Sequence, residues 1–568
     1  MKFTEEQKKI FKFIEKGIGH GIIDAVAGAG KTTTIMECAK YIKNKSSILF
    51  CAFNNSIAKE IAHKFHKIGL DQVTVKTVHA LGRQILDDNN QSGNPIRLEE
   101  KKYIRLYETK EIQEAIRPYL EKICEIHGFD IDNLEENEVY AINNLIKTVK
   151  FKLLEINQKF RATLTKEDLA DFENLVIHFG IFNDIEIKKK FFKEEVRTYF
   201  RCHQILLEAA NLLSKKTMVI DYTDMIYLPY KWNLQPIKKF DFLFIDECQD
   251  LSKAQFAVVA KYGRKDSRIL AVGDPYQSIY GFAGADINSF YRIKEYTKAT
   301  QLPLNICFRC PQKVIEMAKS IRNDIVGNKQ ENGIIKTITY DELIELVKPN
   351  DLIISRKRAP IILLVFKFID KNIKVQIHQD EVHEIINDIK NYFKQEELQL
   401  VISKQPNGFE DIKNNVLKRW KWIIEKNAER ITDSAERNLL IQQEKNHMDK
   451  VLDFLHKKYE KWKSDCKTIN DILKKIKEHI SSTDNSIKLS TIHRAKGIES
   501  YRVFILNYDE LPYIRTDFKE WQCKQEINLK YVAITRAINE LYLVENKNLD
   551  DMVEEESLFD NLPFDQSI

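Results

Sequence analysis

Two kinds of pattern alternate along the chain. Compact apolar runs, rich in β-branched and aromatic residues and bounded by glycine or turn residues, fall within 20–80, 218–285, 350–380 and 487–545. Ser47-Ile48-Leu49-Phe50-Cys51, Phe242-Leu243-Phe244-Ile245, Arg268-Ile269-Leu270-Ala271-Val272 and Val503-Phe504-Ile505-Leu506 are examples. These runs do not alternate with polar residues. Both faces of each strand must therefore be covered, which predicts parallel strands with helices on either side. Long charged stretches, about 83–215 and 385–483, separate the runs. They have helical spacing, few glycines and many Lys–Glu pairs, and predict helix. The simplest architecture is α/β: two parallel-sheet cores, each interrupted by a mainly helical insertion. The expected division is 1–81 with 217–300 for the first core, 82–216 for its insertion, 301–380 with 487–547 for the second core, and 381–486 for a short second insertion. No short-period repeat or Gly/Ser linker breaks this scheme.

One strand-to-helix junction carries chemistry. Ile22-Ile23 leads into Asp24-Ala25-Val26-Ala27-Gly28-Ala29-Gly30-Lys31-Thr32-Thr33-Thr34, and a helix-like run, Ile35-Met36-Glu37-Cys38-Ala39, follows. Strand, glycine loop and helix are the context of a phosphate-binding loop. Gly28 and Gly30 allow a tight turn whose N–H groups point into one concavity. With the helix N-terminus those groups suit a triphosphate held along residues 27–33, that is Ala27, Gly28, Ala29, Gly30, Lys31, Thr32 and Thr33. Lys31 would reach the outer phosphates and the Thr32 hydroxyl would hold Mg²⁺. Ala25 stands where the common pattern begins with glycine. A second run, Phe242-Leu243-Phe244-Ile245-Asp246-Glu247-Cys248-Gln249-Asp250, is a buried strand ending in adjacent carboxylates. Asp246 can join the Mg²⁺ shell, and Glu247 can orient and deprotonate an attacking water.

Composition narrows this little. A chain of 568 residues has room for roughly four domains. A net charge of +5 permits nucleic-acid binding through local patches without arguing for it. The nine cysteines are scattered, several in apolar runs, and fit reduced thiols. Cys307-x-x-Cys310 has no second pair nearby, which disfavours a zinc or redox site. No signal-peptide region or membrane-length apolar run is evident. The expectation is a soluble intracellular protein without a membrane partner, cytoplasmic, or nuclear or in a viral factory according to host. Residues 548–568 are acidic and predict a disordered tail, a candidate docking segment for a protein partner.

The next strand makes the picture specific. Leu270-Ala271-Val272 runs into Gly273-Asp274-Pro275-Tyr276-Gln277-Ser278-Ile279-Tyr280-Gly281-Phe282-Ala283-Gly284-Ala285. With the phosphate loop and the carboxylate strand, in this order, the chain resembles superfamily 1 helicases of the UvrD/Rep type. The other motifs of that family follow in sequence. Gln7 resembles the adenine-reading glutamine. Ala52-Phe53-Asn54-Asn55-Ser56-Ile57-Ala58 and Lys76-Thr77-Val78-His79-Ala80 resemble the first DNA-contact motifs, and Asp221-Tyr222-Thr223-Asp224-Met225 an acidic motif. Asn305-Ile306-Cys307-Phe308-Arg309-Cys310, Leu489-Ser490-Thr491-Ile492-His493-Arg494-Ala495-Lys496-Gly497-Ile498-Glu499 and Leu529-Lys530-Tyr531-Val532-Ala533-Ile534-Thr535-Arg536-Ala537 resemble the last three. The wording of several motifs is similar to the F-box DNA helicase branch. Gln7 lies so near the start that no F-box region is expected ahead of the motor.

The resemblance implies two RecA-like cores that bind ATP and Mg²⁺ between them and single-stranded DNA across their tops. It implies that Arg309 and Arg536 act as phosphate-sensing arginines from the second core, a contribution of roughly 10³–10⁵ in rate. It implies that Gln277 senses the γ-phosphate with His493 nearby, that Phe308 stacks on adenine, and that Glu499 meets the ribose. Thr33 replaces an arginine that many relatives place on the other face of the base, which loosens base selectivity. For DNA it implies Phe53, Asn54, Thr77, His79, Tyr280, Phe282, Thr491 and His493. Phe282 stands for the stacking tryptophan of the family, and Ala283 for an arginine. Stacking contributes roughly 1–3 kcal/mol per base, comparable to the ~1.4 kcal/mol of an average duplex step. The function implied is a 3′→5′ DNA helicase acting on single strands and junctions in replication, repair or recombination. The same motor could instead strip bound proteins such as recombinase filaments. A non-catalytic DNA-binding scaffold fits poorly with intact Lys31, Asp246, Glu247, Gln277, Arg309 and Arg536.

Overall fold

The computed structural model describes residues 2–43, 46–52, 54–129, 138–182, 192–281, 284, 288–428, 434–480, 486–514 and 518–545. Two six-stranded sheets organise them. The first runs in the order Val73–Thr77, Ile48–Ala52, Phe240–Ile245, Gly263–Gly273, Gly21–Ala25, Thr300–Leu304. The second runs Ile334–Ile338, Ala537–Val544, Ser500–Leu506, Leu352–Ser355, Ile487–Thr491, Val375–Gln376. Every described pairing in both sheets is parallel. The central strands carry the unbroken apolar runs because both faces are covered: Ile48–Ala52 and Leu352–Ser355 are buried at every position.

The helical insertions differ in how they attach. Lys102–Tyr107, Lys110–Ile126, Glu138–Thr163, Leu169–Phe179 and Phe192–Thr217 build a core of their own around Phe160, Phe172 and Leu206. A short parallel pair, Arg97–Leu98 with Val219–Ile220, closes the base of this insertion. In the second insertion, Gln379–Lys390, Phe409–Ala428, Ser434–Trp462 and Ile469–Ile480 share one apolar cluster with the second sheet. The two sheets themselves meet through a further cluster that joins Ala27 and Ile279 to Ile354, Val532 and Leu541.

The boundary expected at 300 is corrected. Thr300–Leu304 is the edge strand of the first sheet. The following residues touch both cores: the Phe308 N–H donates to the Gly28 carbonyl at 2.9 Å and Arg322 bonds Asp24 and Asp274, while Arg309 donates to the Thr535 carbonyl and Lys329 to the Ile538 carbonyl, and Ile306–Cys307 pairs with Val326–Gly327 apart from both large sheets. The second sheet starts only at Ile334. Among the described residues, no helix is long and apolar enough to cross a membrane. The acidic segment 548–568 lies outside the described residues.

Candidate nucleotide site and DNA face

The glycine loop leaves the C-terminal end of Gly21–Ala25 and opens the helix Lys31–Cys38. Gly28 and Gly30 have φ of +68° and +74°, the left-handed region that only glycine enters freely. At Gly28 space forbids a side chain as well, since an added Cβ would lie 2.7 Å from the Arg309 Cβ. At Gly30 an added Cβ meets nothing within 4 Å, so conformation alone selects glycine. The helix leaves its first-turn N–H groups without i−4 partners, facing out of the loop. Lys31 is buried there, Thr32 is half-buried and Thr33 is exposed.

Carboxylates close the cradle. The Thr32 hydroxyl donates to Asp246 Oδ2 at 2.8 Å, and Lys31 Nζ lies 3.7 Å from Glu247 Oε1. Glu247 turns the chain with φ +49°, and its other oxygen accepts from Gln249 Nε2 at 2.6 Å. Burial and the neighbouring Glu247 charge push the Asp246 carboxyl up to about 7. Burial pushes Glu247 upward too, but Lys31, Lys496 and the Gln249 hydrogen bond outweigh it and hold this carboxyl below its ordinary range. A hydroxyl and two crowded carboxylates, one short of positive charge, fit a hard divalent cation such as Mg²⁺. The loop and its helix fit the phosphates that accompany it.

Other candidates gather at the same seam. Gln7 sits at the third position of helix Glu5–Lys16, where its carbonyl completes a capping box with Thr4 and its amide donates to Thr34 at 3.0 Å. Gln7 is thereby fixed beside the loop helix. Phe308 lies next to Gly28 and is 38% exposed, leaving ring surface free to stack. The Ala27 N–H donates to the Tyr531 hydroxyl at 3.1 Å, joining the loop to a helix of the second core. Gln277 donates to Asp274 Oδ2 at 2.7 Å.

The two arginines stand in different settings. Arg309 lies on a segment that abuts the glycine loop, and it pairs with Glu499 and donates to the Thr535 carbonyl, both from the second core. Glu499, expected at the ribose, is therefore occupied by Arg309. Arg536 is buried and folded onto its own surroundings, donating to the Val532 carbonyl at 2.9 Å and to the Ile498 carbonyl at 3.4 Å. Burial and the nearby Arg309 lower it to about 10, so it stays charged at neutral pH.

Candidate DNA residues follow the C-terminal edges of the sheets, where ligands of open parallel sheets bind. Asn54 and Thr77 lie at the ends of adjacent strands, Asn54 just beyond Ile48–Ala52 and Thr77 as the last residue of Val73–Thr77, and cap the next helices, accepting from Ile57 N–H at 2.9 Å and Ala80 N–H at 3.3 Å. His79 meets Tyr222 edge-on at 6.2 Å, and burial lowers its pKa. Thr491 ends a second-core strand, its N–H held by Glu381 at 2.8 Å. The Tyr280 hydroxyl donates to the His493 carbonyl at 3.3 Å, which places His493 beside the segment that follows Gln277. Phe53, Phe282 and Ala283 lie outside the described residues.

Some contributors had no assigned role in the motifs that contain them. Lys496 donates to Asp250 and to the Gln277 carbonyl, tying the 491–499 loop to the first core. Gln249 anchors Glu247, and Tyr531 anchors the loop. All three sit in runs already singled out, so the runs themselves were the signal. Arg322 had none.

Two parallel-sheet cores with a glycine loop at the seam define a two-core P-loop protein. A profile of the UvrD/REP helicase N-terminal domain matches residues 3–298. The chain belongs to this UvrD/REP helicase family. It is similar to the ATP-dependent DNA helicase Rep of Buchnera aphidicola subsp. Baizongia pistaciae, 23% identical over 96% of this chain and 91% of that protein. It is similar to a probable DNA helicase II homolog of Mycoplasma genitalium, 23% identical over 95% and 84%. The ATP-dependent DNA helicase PcrA of Bacillus subtilis is 21% identical over 93% and 80%.

Proposed function

We propose that this protein is an ATP-dependent DNA helicase that moves 3′→5′ on single-stranded DNA and opens duplex ahead of it. One observation carries the reading: residues from both ends of the chain meet at the glycine loop, with Tyr531 on Ala27 and Lys496 on Gln277. The names of the similar proteins support DNA as the track.

In this reading Lys31 and the first-turn N–H groups grip the phosphates, while Thr32 and Asp246 hold the metal. Bound Mg²⁺ supplies Lewis-acid stabilisation of the developing phosphate charge. Glu247, kept ionised by Lys31 and Lys496, orients the attacking water and takes its proton. Gln277 faces the outer phosphate. Arg309 and Arg536 add positive charge on closure, and Arg536 must leave its carbonyl partners to do so. Gln7 and Phe308 select and stack the base. Loss of phosphate releases the arginines and lets the cores part. Lys496 passes that change to the strand edges where Thr77, His79, Tyr280 and Thr491 meet DNA.

The test is ATP turnover with single-stranded DNA, duplex DNA and RNA in parallel, then strand displacement on duplexes with 3′ or 5′ tails. Stimulation by single-stranded DNA and opening of 3′-tailed duplexes are expected. Turnover indifferent to DNA ends the motor reading. Stimulated turnover without strand displacement on either tail turns it toward removal of bound proteins.

A further inference from the structure

Arg322 lies outside every motif described above, yet it holds two carboxylates and a carbonyl of the first core at the seam. It is 1% exposed. One Nη donates to Asp274 Oδ1 at 2.6 Å and to the Ala25 carbonyl at 3.2 Å. The other donates to Asp24 Oδ1 at 2.8 Å, and Nε to Asp324 Oδ1 at 2.9 Å. Its guanidinium also lies 5.2 Å from the Tyr276 ring centroid. Asp24 and Ala25 end the strand that feeds the glycine loop. Asp274 follows the strand that feeds Gln277.

Asp274 is the pivot. It is fully buried, and its carboxylate receives Arg322 on Oδ1 and the Gln277 amide on Oδ2 at 2.7 Å. Its N–H donates to Gln249 Oε1 at 3.1 Å, and Gln249 in turn donates to Glu247. A glutamine amide that gives its N–H to a carboxylate has its carbonyl oxygen turned away from that carboxylate. Fixing Asp274 therefore selects which end of the Gln277 amide is free. Removing the cation would leave two carboxylates, Asp24 and Asp274, facing each other in a buried space, and either would draw the Gln277 and Gln249 donors out of place.

We propose that Arg322 is a positioning residue for ATP hydrolysis, acting through Asp274 to set the amide of Gln277. The inference rests on the reading of Gln277 given under Proposed function.

The test is a double-mutant cycle on the full chain, reading kcat and KM for ATP in the presence of single-stranded DNA. Arg322→Lys keeps the charge but cannot serve all the acceptors at once. It is expected to lower kcat about tenfold, less than the ~10²–10³ lost when a whole electrostatic donor is removed, with KM moved less than twofold. Arg322→Gln is expected to lower kcat further, so that lysine is a partial rescue. In a Gln277→Ala background, Arg322→Lys should lower kcat less than twofold more. Full additivity of the two losses overturns the inference and leaves Gln277 standing. Undiminished turnover in Gln277→Ala alone overturns the Gln277 reading and this inference with it. Should the Arg322 variants fail to fold, Asp324→Asn probes the same fork from its half-exposed side. It is expected to lower kcat about twofold with KM unchanged, and a raised KM at unchanged kcat overturns the inference.

Discussion

Two pairs of carboxylates stand in the first core, and their surroundings differ. Asp221 and Asp224 open the helix Tyr222–Lys231, capping it reciprocally. Arg161 grips Asp221 with two hydrogen bonds, 2.7 and 2.9 Å, and Asp224 with a third at 2.8 Å. Lys102 adds a fourth to Asp224 at 2.6 Å. Burial pushes Asp224 upward, but Lys102 and Arg161 outweigh it and hold it below its ordinary range; Asp221 stays somewhat raised by burial despite Arg161. Asp246 and Glu247, by contrast, have Lys31 3.7 Å from Glu247 with Lys496 adding its charge there, and among the described residues Asp246 itself receives a hydroxyl and a backbone N–H. The first pair is neutralised inside the protein and ties the helical insertion to its core. The second is left short of positive charge, which is how a protein keeps a cation site open.

The comparison breaks most easily at Lys31. If the Asp246–Glu247 side serves phosphate chemistry, Lys31→Ala removes a fixed charge from the reacting group. DNA-stimulated ATP turnover should then fall at least ~10²–10³-fold, while binding to single-stranded DNA stays measurable by fluorescence anisotropy. Turnover that persists near the parent rate would refute the site.

Matched neutralisations separate the two pairs next. Asp224→Asn leaves Lys102 and Arg161 under-paired in the interior, and should cost about 3–5 kcal/mol of stability. Asp246→Asn removes a charge that the nucleotide-free, metal-free protein compensates poorly. Its melting temperature should hold or rise while hydrolysis is lost, the usual trade between stability and function. Equal falls in melting temperature for both variants would mean that the contrast has no energetic content.

A third measurement sharpens the insertion side. His203, in the helix Phe192–Thr217, packs against Phe160 at 4.4 Å between centroids. Neither ring nitrogen has a hydrogen-bond partner among the described residues. Burial, with a smaller contribution from Arg161, lowers its pKa to about 3. The folded ring thus refuses a proton that the unfolded chain accepts below about pH 6.5. Stability from this group is present above that pH and is lost as pH falls toward 3, by up to about 1.4 kcal/mol per unit. His203→Phe should flatten the fall in melting temperature between about pH 6.5 and 4.5. An unchanged slope would assign the acid sensitivity elsewhere.

The legible parts of the molecule are those whose chemistry is local in sequence. The glycine loop, the carboxylate strand and the buried strands each declare themselves within about a dozen residues, because turn, cap and strand burial are short-range demands. Thr300–Leu304 escaped because it is an edge strand: Pro303 is tolerated there, and the strand is exposed at Thr300, Gln301 and Pro303. Arg322 and Arg161 escaped for another reason. Arg161 is one cation in a charged helical stretch and Arg322 one in the turn beyond the helix Gln312–Lys319, and the partners that matter lie far along the chain, 48 residues from Arg322 to Asp274 and 60 from Arg161 to Asp221.

The smallest expected effect concerns the base rather than the phosphates. Thr33 is exposed beside the loop, and Phe308 offers a partly open ring close to Gly28. One face of the bound base then has an aromatic neighbour, and the other has a short hydroxyl that offers little contact. A guanidinium at residue 33 could lie over the base, a contact of about 0.5–1 kcal/mol at an exposed site. Thr33→Arg should therefore lower KM for ATP about two- to fivefold with kcat unchanged, since the contact is the same in ground and transition states. The phosphate side, with Lys31, Asp246 and Glu247, is untouched by this change, so a shift in kcat would show that base and phosphate contacts are not separable here. Measuring ATP and GTP side by side decides the matter: an equal gain for both nucleotides reports stacking alone, whereas a gain confined to ATP reports that Gln7 reads the adenine edge once the base is held flat.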